Sequence, residues 1–130
     1  MADRFNAGQI WRTQGRPQDG DAHILILAIT DNNVVGPIYS TALTGVRIRN
    51  PRMEGGLQTV LPHVPVTEEM LRAAATELVA SDGPTADHPD FSESYLEFRE
   101  LYDLGEAGVF TLTFPEIVDL VEKATASTET

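Results

Sequence analysis

The sequence lacks cysteine altogether. This excludes disulfide bonds, cysteine-ligated zinc, iron–sulfur clusters and thiol nucleophiles. A long hydrophobic run is also missing, because the longest nearly pure apolar segment, 24–29, is far shorter than the roughly 20 residues of a membrane-spanning helix. Residues 1–6 contain no apolar segment of the kind found at the centre of a secretion signal. We therefore expect a soluble, cytoplasmic protein.

Basic residues are scarce, and they are unevenly distributed. The 130 residues include 9 Lys and Arg against 20 Asp and Glu, for a formal net charge of −11. Residues 1–66 contain six arginines and five acids, whereas residues 67–130 contain three basic residues and fifteen acids. An anionic surface repels nucleic acid and speeds encounter with basic proteins. The same charge is equally compatible with solubility alone.

Motifs of nucleophilic and cofactor-dependent enzymes are missing as well. There is no Gly-x-Ser-x-Gly elbow, no Gly-rich phosphate loop and no Gly-x-Gly-x-x-Gly fingerprint. His23, His63 and His88 share no metal-binding spacing, and His63 is predicted to be a surface or hydrogen-bonded loop histidine. We predict no catalytic residue, no metal site and no cofactor. An enzyme is disfavoured, although groups that meet only in the folded chain stay open.

What is present indicates a folded chain of one domain, residues 1–130, with a strand-rich half, 1–66, and an acidic helical half, 67–130. Period-two patterns and turn residues predict strands at 9–13, 23–30, 38–49 with a break or bulge at Gly45, and 57–61. The apolar run in the second of these predicts a strand that is buried on both faces or one that lies at a central position in a barrel.

Three helices are predicted in the second half. Thr67 is a candidate N-cap for a helix that runs to about residue 80 and aligns Met70, Ala74 and Leu78. The second helix opens at 90–93 with capping-box spacing, ends at Gly105 and carries an aromatic packing stripe: Phe91, Tyr95, Phe98 and Tyr102. The third follows the capping box 113–116, with an inner face of Ile117, Leu120, Val121 and Ala124.

These patterns predict an α+β fold. The expected architecture is a small, mostly antiparallel SH3-like barrel or twisted sheet, followed by two or three packed helices. Residues 108–112 form a further predicted strand that returns to the sheet.

Two charged clusters are candidate binding sites. Glu93, Glu97 and Glu100 lie on one face of the second predicted helix, and Asp103 and Glu106 extend it, so a basic partner is favoured over acid–base chemistry, which needs buried carboxylates. The second cluster is a possible anion or phosphate site, formed by Arg16, Arg47, Arg49 and Arg52. For the last three arginines, pairing with acidic helices of the same chain or at an interface is favoured, and simple exposure to solvent is a further alternative.

The N-terminal part resembles a known family. Residues 5–11, a Gly-Arg-Pro loop at 15–17 and the apolar strand 24–29 resemble the opening of the MazF/PemK-type toxins, which are SH3-like barrels that cleave RNA. Here Gln9 replaces the family's acidic residue, and an Asp-rich insertion follows the Arg-Pro pair. The resemblance implies a barrel, with Arg16 and Thr30 at the matching positions of an RNA-directed site. The acidic charge argues against RNA as the ligand.

Over most of the chain, the sequence is similar to small uncharacterised bacterial proteins in the order of four motifs. These are Gly-x-Ile-Trp and the segments 45–51, 65–69 and 105–111. This resemblance implies a bacterial or phage origin and no function.

The sequence thus favours a non-enzymatic acidic protein that binds a basic protein partner through its helical half. Its class would be an immunity protein, an antitoxin or a phage inhibitor, and the partner could be a nucleic-acid enzyme. Two alternatives stay open: an RNA-directed enzyme or nucleic-acid binder that uses a barrel and its arginines, and a homodimeric adaptor that acts through the aromatic stripe. No membrane partner is expected.

Overall fold

The structure is a computed structural model that describes residues 5–32, 34, 36–105 and 113–127. The predicted α+β class is confirmed, with five described strands and three described α-helices. The strands are β1 (Ile10–Thr13), β2 (His23–Thr30), β3 (Ile38–Arg49), β4 (Leu57–Thr67) and β5 (Ala75–Ala80). The helices are α1 (Glu68–Ala74), α2 (Pro89–Asp103) and α3 (Phe114–Ser127), and a short 3-10 turn, Glu54–Gly56, precedes β4. Residues 106 and 108–112, which include Glu106 and the predicted returning strand, lie outside the described residues.

All five strands form one antiparallel sheet in the order β4-β3-β2-β1-β5. The sheet is open, since β4 and β5 are its two edges and do not pair with each other. Of the two predicted architectures, the twisted sheet is therefore correct and the closed barrel is wrong. Strand β5 belongs to the second half of the sequence but pairs with β1, so the sheet joins the strand-rich and helical halves.

Helices cover both faces of the sheet. On one face, Ile24 and Ile26 of β2 belong to a large core with residues of α1 and α3. On the other face, Leu25 and Leu27 of the same strand pack with Phe91 of α2. Each of these four β2 residues is at most 7% exposed, which explains why the strand is an unbroken apolar run. The prediction that this strand is buried on both faces is confirmed.

Strand β4 is longer than predicted. The sequence indicated residues 57–61, but pairing with β3 continues to Thr67 through Pro62 and Pro65. Proline has no N–H to donate to a ladder, and an edge strand tolerates it because one side of its backbone is unpaired. His63 consequently lies in a strand, and its predicted position in a loop is wrong.

Helix α1 is shorter than predicted. Thr67 is its N-cap, and the Thr67 hydroxyl accepts a hydrogen bond from the amide of Met70 at 3.4 Å. The helix ends at Ala74, and residues 75–80 form β5 instead of two further turns. Leu78 is therefore 44% exposed on a strand and does not extend the stripe of Met70 and Ala74. Backbone pairing with β1 outweighs the helical preference of this segment.

Helix α3 starts with the predicted capping box. Glu116 accepts hydrogen bonds from the backbone N–H and the hydroxyl of Thr113. The hydrogen bond from the backbone N–H is the main cause that lowers the pKa of Glu116. The inner face, however, is rotated relative to the prediction. Leu120 is 50% exposed and Ala124 is exposed. Ile117 and Val121 pack in or against the core as predicted, and Phe114 and Val118 join them in place of Leu120 and Ala124.

Gly45 interrupts the ladder of β3, as the sequence predicted. The register between β3 and β4 shifts between Thr44 and Ile48, and Gly45 has a φ of 77°. A Cβ atom at this position would lie 2.0 Å from the backbone oxygen of Asp21. Both the backbone angle and the close approach therefore require glycine here.

We predict that Gly45→Ala lowers the free energy of unfolding by about 3 kcal/mol or more, because the backbone of Asp21 must move. Gly55 is the matched control, since it has the same φ of 77° and no atom within 4 Å of an added Cβ. Gly55→Ala should cost only the backbone term, about 1–2 kcal/mol. Urea unfolding measures both values, and equal losses would contradict the packing argument.

Candidate interaction surface

The aromatic stripe of α2 faces the sheet. Phe91 and Phe98 are each 6% exposed, and Tyr95 and Tyr102 are half-buried beside them. The ring of Phe98 lies 4.8 Å from the ring of His63 in β4. The interpretation of the stripe as a packing face is therefore correct. A homodimer through this stripe would require α2 to leave the sheet.

His63 lies under α2 as an unusual polar group. Its Nε2 is buried and has no hydrogen-bond partner among the described residues. Its ring contacts Phe98 and, at 6.2 Å between centroids, Tyr95. Burial disfavours the charged imidazolium and lowers the pKa of His63 to about 4. A neutral His63 is thus part of the packing between β4 and α2.

Hydrogen bonds hold both ends of α2. At the start, His88 rather than the predicted Asp90 is the N-cap, and its Nδ1 accepts a hydrogen bond from the amide of Asp90 at 3.1 Å. Near the end, the Tyr102 hydroxyl donates to the carbonyl of Asp31 at 3.1 Å, and Arg99 donates to the Thr30 hydroxyl at 3.3 Å. These contacts fix the rotation of α2 on the sheet.

The same rotation places the glutamates outward. Glu93, Glu97 and Glu100 are exposed, and none of them takes part in an ion pair among the described residues. Asp103 differs, because Arg99 lies 3.4 Å from its carboxylate one turn away. Three of the five predicted acidic residues therefore form an uncompensated anionic row on the solvent side of α2.

Arg16 occupies a different environment from the one that the sequence suggested. Its side chain is 4% exposed and contacts the carboxylates of Asp19, Asp119 and Glu122, each at 3.0 Å. Its Nη2 also donates to the carbonyl of Arg47 at 2.8 Å. The anions bound by Arg16 are thus carboxylates of this chain, two of them from α3. A phosphate would have to displace them.

The contacts within this cluster shift the pKa values of Arg16, Asp19 and Glu122. Burial alone would raise the pKa of Asp19, but hydrogen bonds from Arg16 and from the amide of Arg47 outweigh it and lower that pKa. The amide of Arg49 donates to Glu122 and lowers the pKa of Glu122. The hydrogen bond to Asp19 likewise raises the pKa of Arg16. Arg16, Asp19 and Glu122 are therefore held in their charged forms. The cluster joins the 15–22 loop, β3 and α3.

Arg47, Arg49 and Arg52 present exposed side chains. Arg47 and Arg49 alternate with buried Ile48 on β3, as the period-two pattern predicted. Arg52 lies in the following turn, where its amide donates to the Asn50 side chain. The ion pairs among the described residues include none of these three guanidinium groups. The pairing with helix carboxylates that the sequence favoured for them is made by Arg16 instead.

Sequence reasoning missed the three acidic partners of Arg16. Asp19 had a local signal, since Arg16 and Asp19 stand three residues apart across a Pro-containing turn. The pairing of Arg16 with Asp119 and Glu122 had no local signal, because these two residues lie more than a hundred positions from Arg16 in the chain.

We predict that Arg16→Met lowers the free energy of unfolding by about 3–5 kcal/mol, because it leaves the buried carboxylate of Asp19 without a counter-charge. Arg12 is the control, since its ion pair with Glu77 joins side chains that are 56% and 64% exposed. Arg12→Met should cost less than about 1 kcal/mol. Urea unfolding at neutral pH measures both, and losses of similar size would contradict a structural role for Arg16.

We also predict a pH dependence from His63. Because its pKa falls from 6.5 in the unfolded chain to about 4 in the fold, the unfolded state binds the proton more readily. The free energy of unfolding should therefore decrease as the pH falls from 6.5 to 4.5, and His63→Phe should weaken this decrease. His23→Gln should retain the wild-type profile. Identical pH profiles for the wild type and His63→Phe would be the contrary result.

Among the described residues, no three or more His, Asp or Glu side chains lie close enough together to hold a metal ion. Within the same residues, no helix has the length and apolar character needed to cross a membrane.

Comparison with protein-family models, with curated proteins and with solved structures found no match to this chain. The resemblances to MazF/PemK-type toxins and to small bacterial proteins therefore stay predictions.

Proposed function

We propose that this protein is a non-enzymatic binding protein that engages a basic protein partner through the outer face of α2. The observation that carries the proposal is the anionic row of Glu93, Glu97 and Glu100 on a helix whose opposite face is buried. Like charges at this spacing weaken a helix slightly, and a basic partner removes that repulsion. Long-range attraction also accelerates the encounter with such a partner.

The contrast with the other helices supports this assignment. On α3, Asp119 and Glu122 are used within the chain by Arg16. On α1, Glu68 pairs with Arg72. On α2, by contrast, Glu93, Glu97 and Glu100 are exposed together on one face and take part in no ion pair among the described residues. An anionic helix held in one orientation suits the immunity-protein, antitoxin or inhibitor class, which covers the basic surface of a nucleic-acid enzyme.

A second candidate function rests on the exposed guanidinium groups of Arg47, Arg49 and Arg52. Three exposed arginines at one strand end and turn, without ion pairs in the part of the chain that the structure describes, can contact phosphates. Direct nucleic-acid binding is therefore the rival proposal. Binding of bulk RNA by the wild type that is lost in Arg47→Ala/Arg49→Ala would favour it. The net charge of −11 weighs against this function.

The leading proposal predicts salt-sensitive capture of a basic protein. Immobilised wild type should retain a basic protein from a bacterial lysate at low salt and release it at high salt, because exposed charges are screened. The variant Glu93→Gln/Glu97→Gln/Glu100→Gln should bind the recovered partner at least about tenfold more weakly, which corresponds to about 1.4 kcal/mol. Calorimetry with the purified partner measures the affinity.

A matched control separates the α2 face from net charge. Glu69→Gln/Asp82→Asn/Asp87→Asn also removes three exposed carboxylates without ion pairs among the described residues, but none of them lies on α2. This control should retain the wild-type affinity. Failure to retain a basic protein at low salt, or equal weakening by both triple variants, would overturn the proposal.

A further inference from the structure

The outer face of α2 carries exposed leucines as well as glutamates. Leu96 is 58% exposed, Leu101 is 45% exposed and Leu104, the residue that caps the helix, is 71% exposed. Leu96 and Leu104 stand four residues on either side of Glu100, so these three residues form one row along the helix. We call the combined surface the Glu–Leu face; it consists of Glu93, Leu96, Glu97, Glu100, Leu101 and Leu104.

These leucines contribute little to the fold of the chain itself. Neither of the two core clusters of the described residues includes any of them. A single exposed leucine is ordinary on a protein surface. Three within nine residues, on the side of the helix that also carries three uncompensated glutamates, form a mixed apolar and anionic surface. Burial of leucine side chains is favourable, so this surface offers binding energy beyond its charge.

We propose that the Glu–Leu face binds a basic amphipathic α-helix of a protein partner. The inference rests on the proposed function and specifies its partner. A second helix can lie along α2 at an axial distance of about 8–10 Å. Its apolar side chains then cover Leu96 and Leu104, and lysines or arginines on its flanks approach Glu93, Glu97 and Glu100.

The charge of the face selects this occupant over others. Nucleic acids and anionic membrane surfaces are repelled by the glutamates. A second copy of the chain that used the same face would bring two sets of three glutamates together, and like charges in an interface are strongly unfavourable. A purely basic, apolar-free segment would leave the leucines in water. A helix that is both basic and apolar matches both components.

Two synthetic helical peptides of about 20 residues test the inference. One places leucines along one side and lysines on the flanks, and the other has the same lysines with glutamine in place of every leucine. Circular dichroism should first establish equal helicity, and fluorescence anisotropy then measures binding at low salt. We expect the leucine peptide to bind wild type at least about tenfold more tightly than the glutamine peptide.

Variants assign that preference to the Glu–Leu face. Leu96→Ser/Leu104→Ser should bind the leucine peptide about tenfold more weakly and leave binding of the glutamine peptide unchanged. Leu57→Ser/Leu78→Ser is the matched control, since these leucines are 41% and 44% exposed on the sheet edges. It should retain the preference. Unchanged thermal unfolding transitions establish that the variants fold.

Each other outcome has a definite meaning. If wild type binds the two peptides equally, the amphipathic partner is wrong while the basic partner of the proposed function stands. If it binds neither peptide at low salt, the proposed function fails and the inference fails with it. If wild type alone forms a dimer that Leu96→Ser/Leu104→Ser abolishes, the occupant is a second copy, and the inference is overturned.

Discussion

Burial of both faces of β2 is the constraint on which the rest of the structure depends. A strand with Ile24 and Ile26 on one face and Leu25 and Leu27 on the other cannot leave either face in water. The described helices therefore divide between the two faces, α1 and α3 on one and α2 on the other. Packing of the α2 aromatic stripe on the sheet then determines which α2 residues face solvent.

The acidic residues of α3 and those of α2 serve different purposes. The buried guanidinium of Arg16 holds Asp119 and Glu122, so acidic residues of α3 stabilise the fold. The glutamates of α2 have no such cation among the described residues, and they lie beside exposed leucines. The net charge of the sequence does not show this difference, because it counts structural and surface carboxylates alike.

The parts of the fold that the sequence predicted best are those with a strong local pattern. The apolar run of β2, the bulge at Gly45 and the capping box at Thr113 each depend on residues close together in the chain. The outward orientation of Glu93, Glu97 and Glu100 followed from the aromatic stripe, because four aromatic residues outweigh three carboxylates in competition for the core.

The sequence-based predictions were wrong where contacts between residues far apart in the chain determine the local structure. Residues 75–80 fit a helix locally, but pairing with β1 makes them a strand. On α3 two helical rows of apolar residues were possible, and burial of Phe114 selects the row that includes Val118 rather than Leu120. The partners of Arg16 and the packing of His63 under α2 depend on the tertiary fold, so a single sequence contains little signal for them.

The most direct test of the central claim is a map of the binding surface in solution. Isotope-labelled protein titrated with the lysine–leucine peptide reports the affected residues through changes in backbone amide chemical shifts. The account predicts the largest changes at residues 93–104, with residues 47–52 unaffected. Changes concentrated at residues 47–52, or spread evenly over the sheet, would contradict the assignment of α2 as the binding surface.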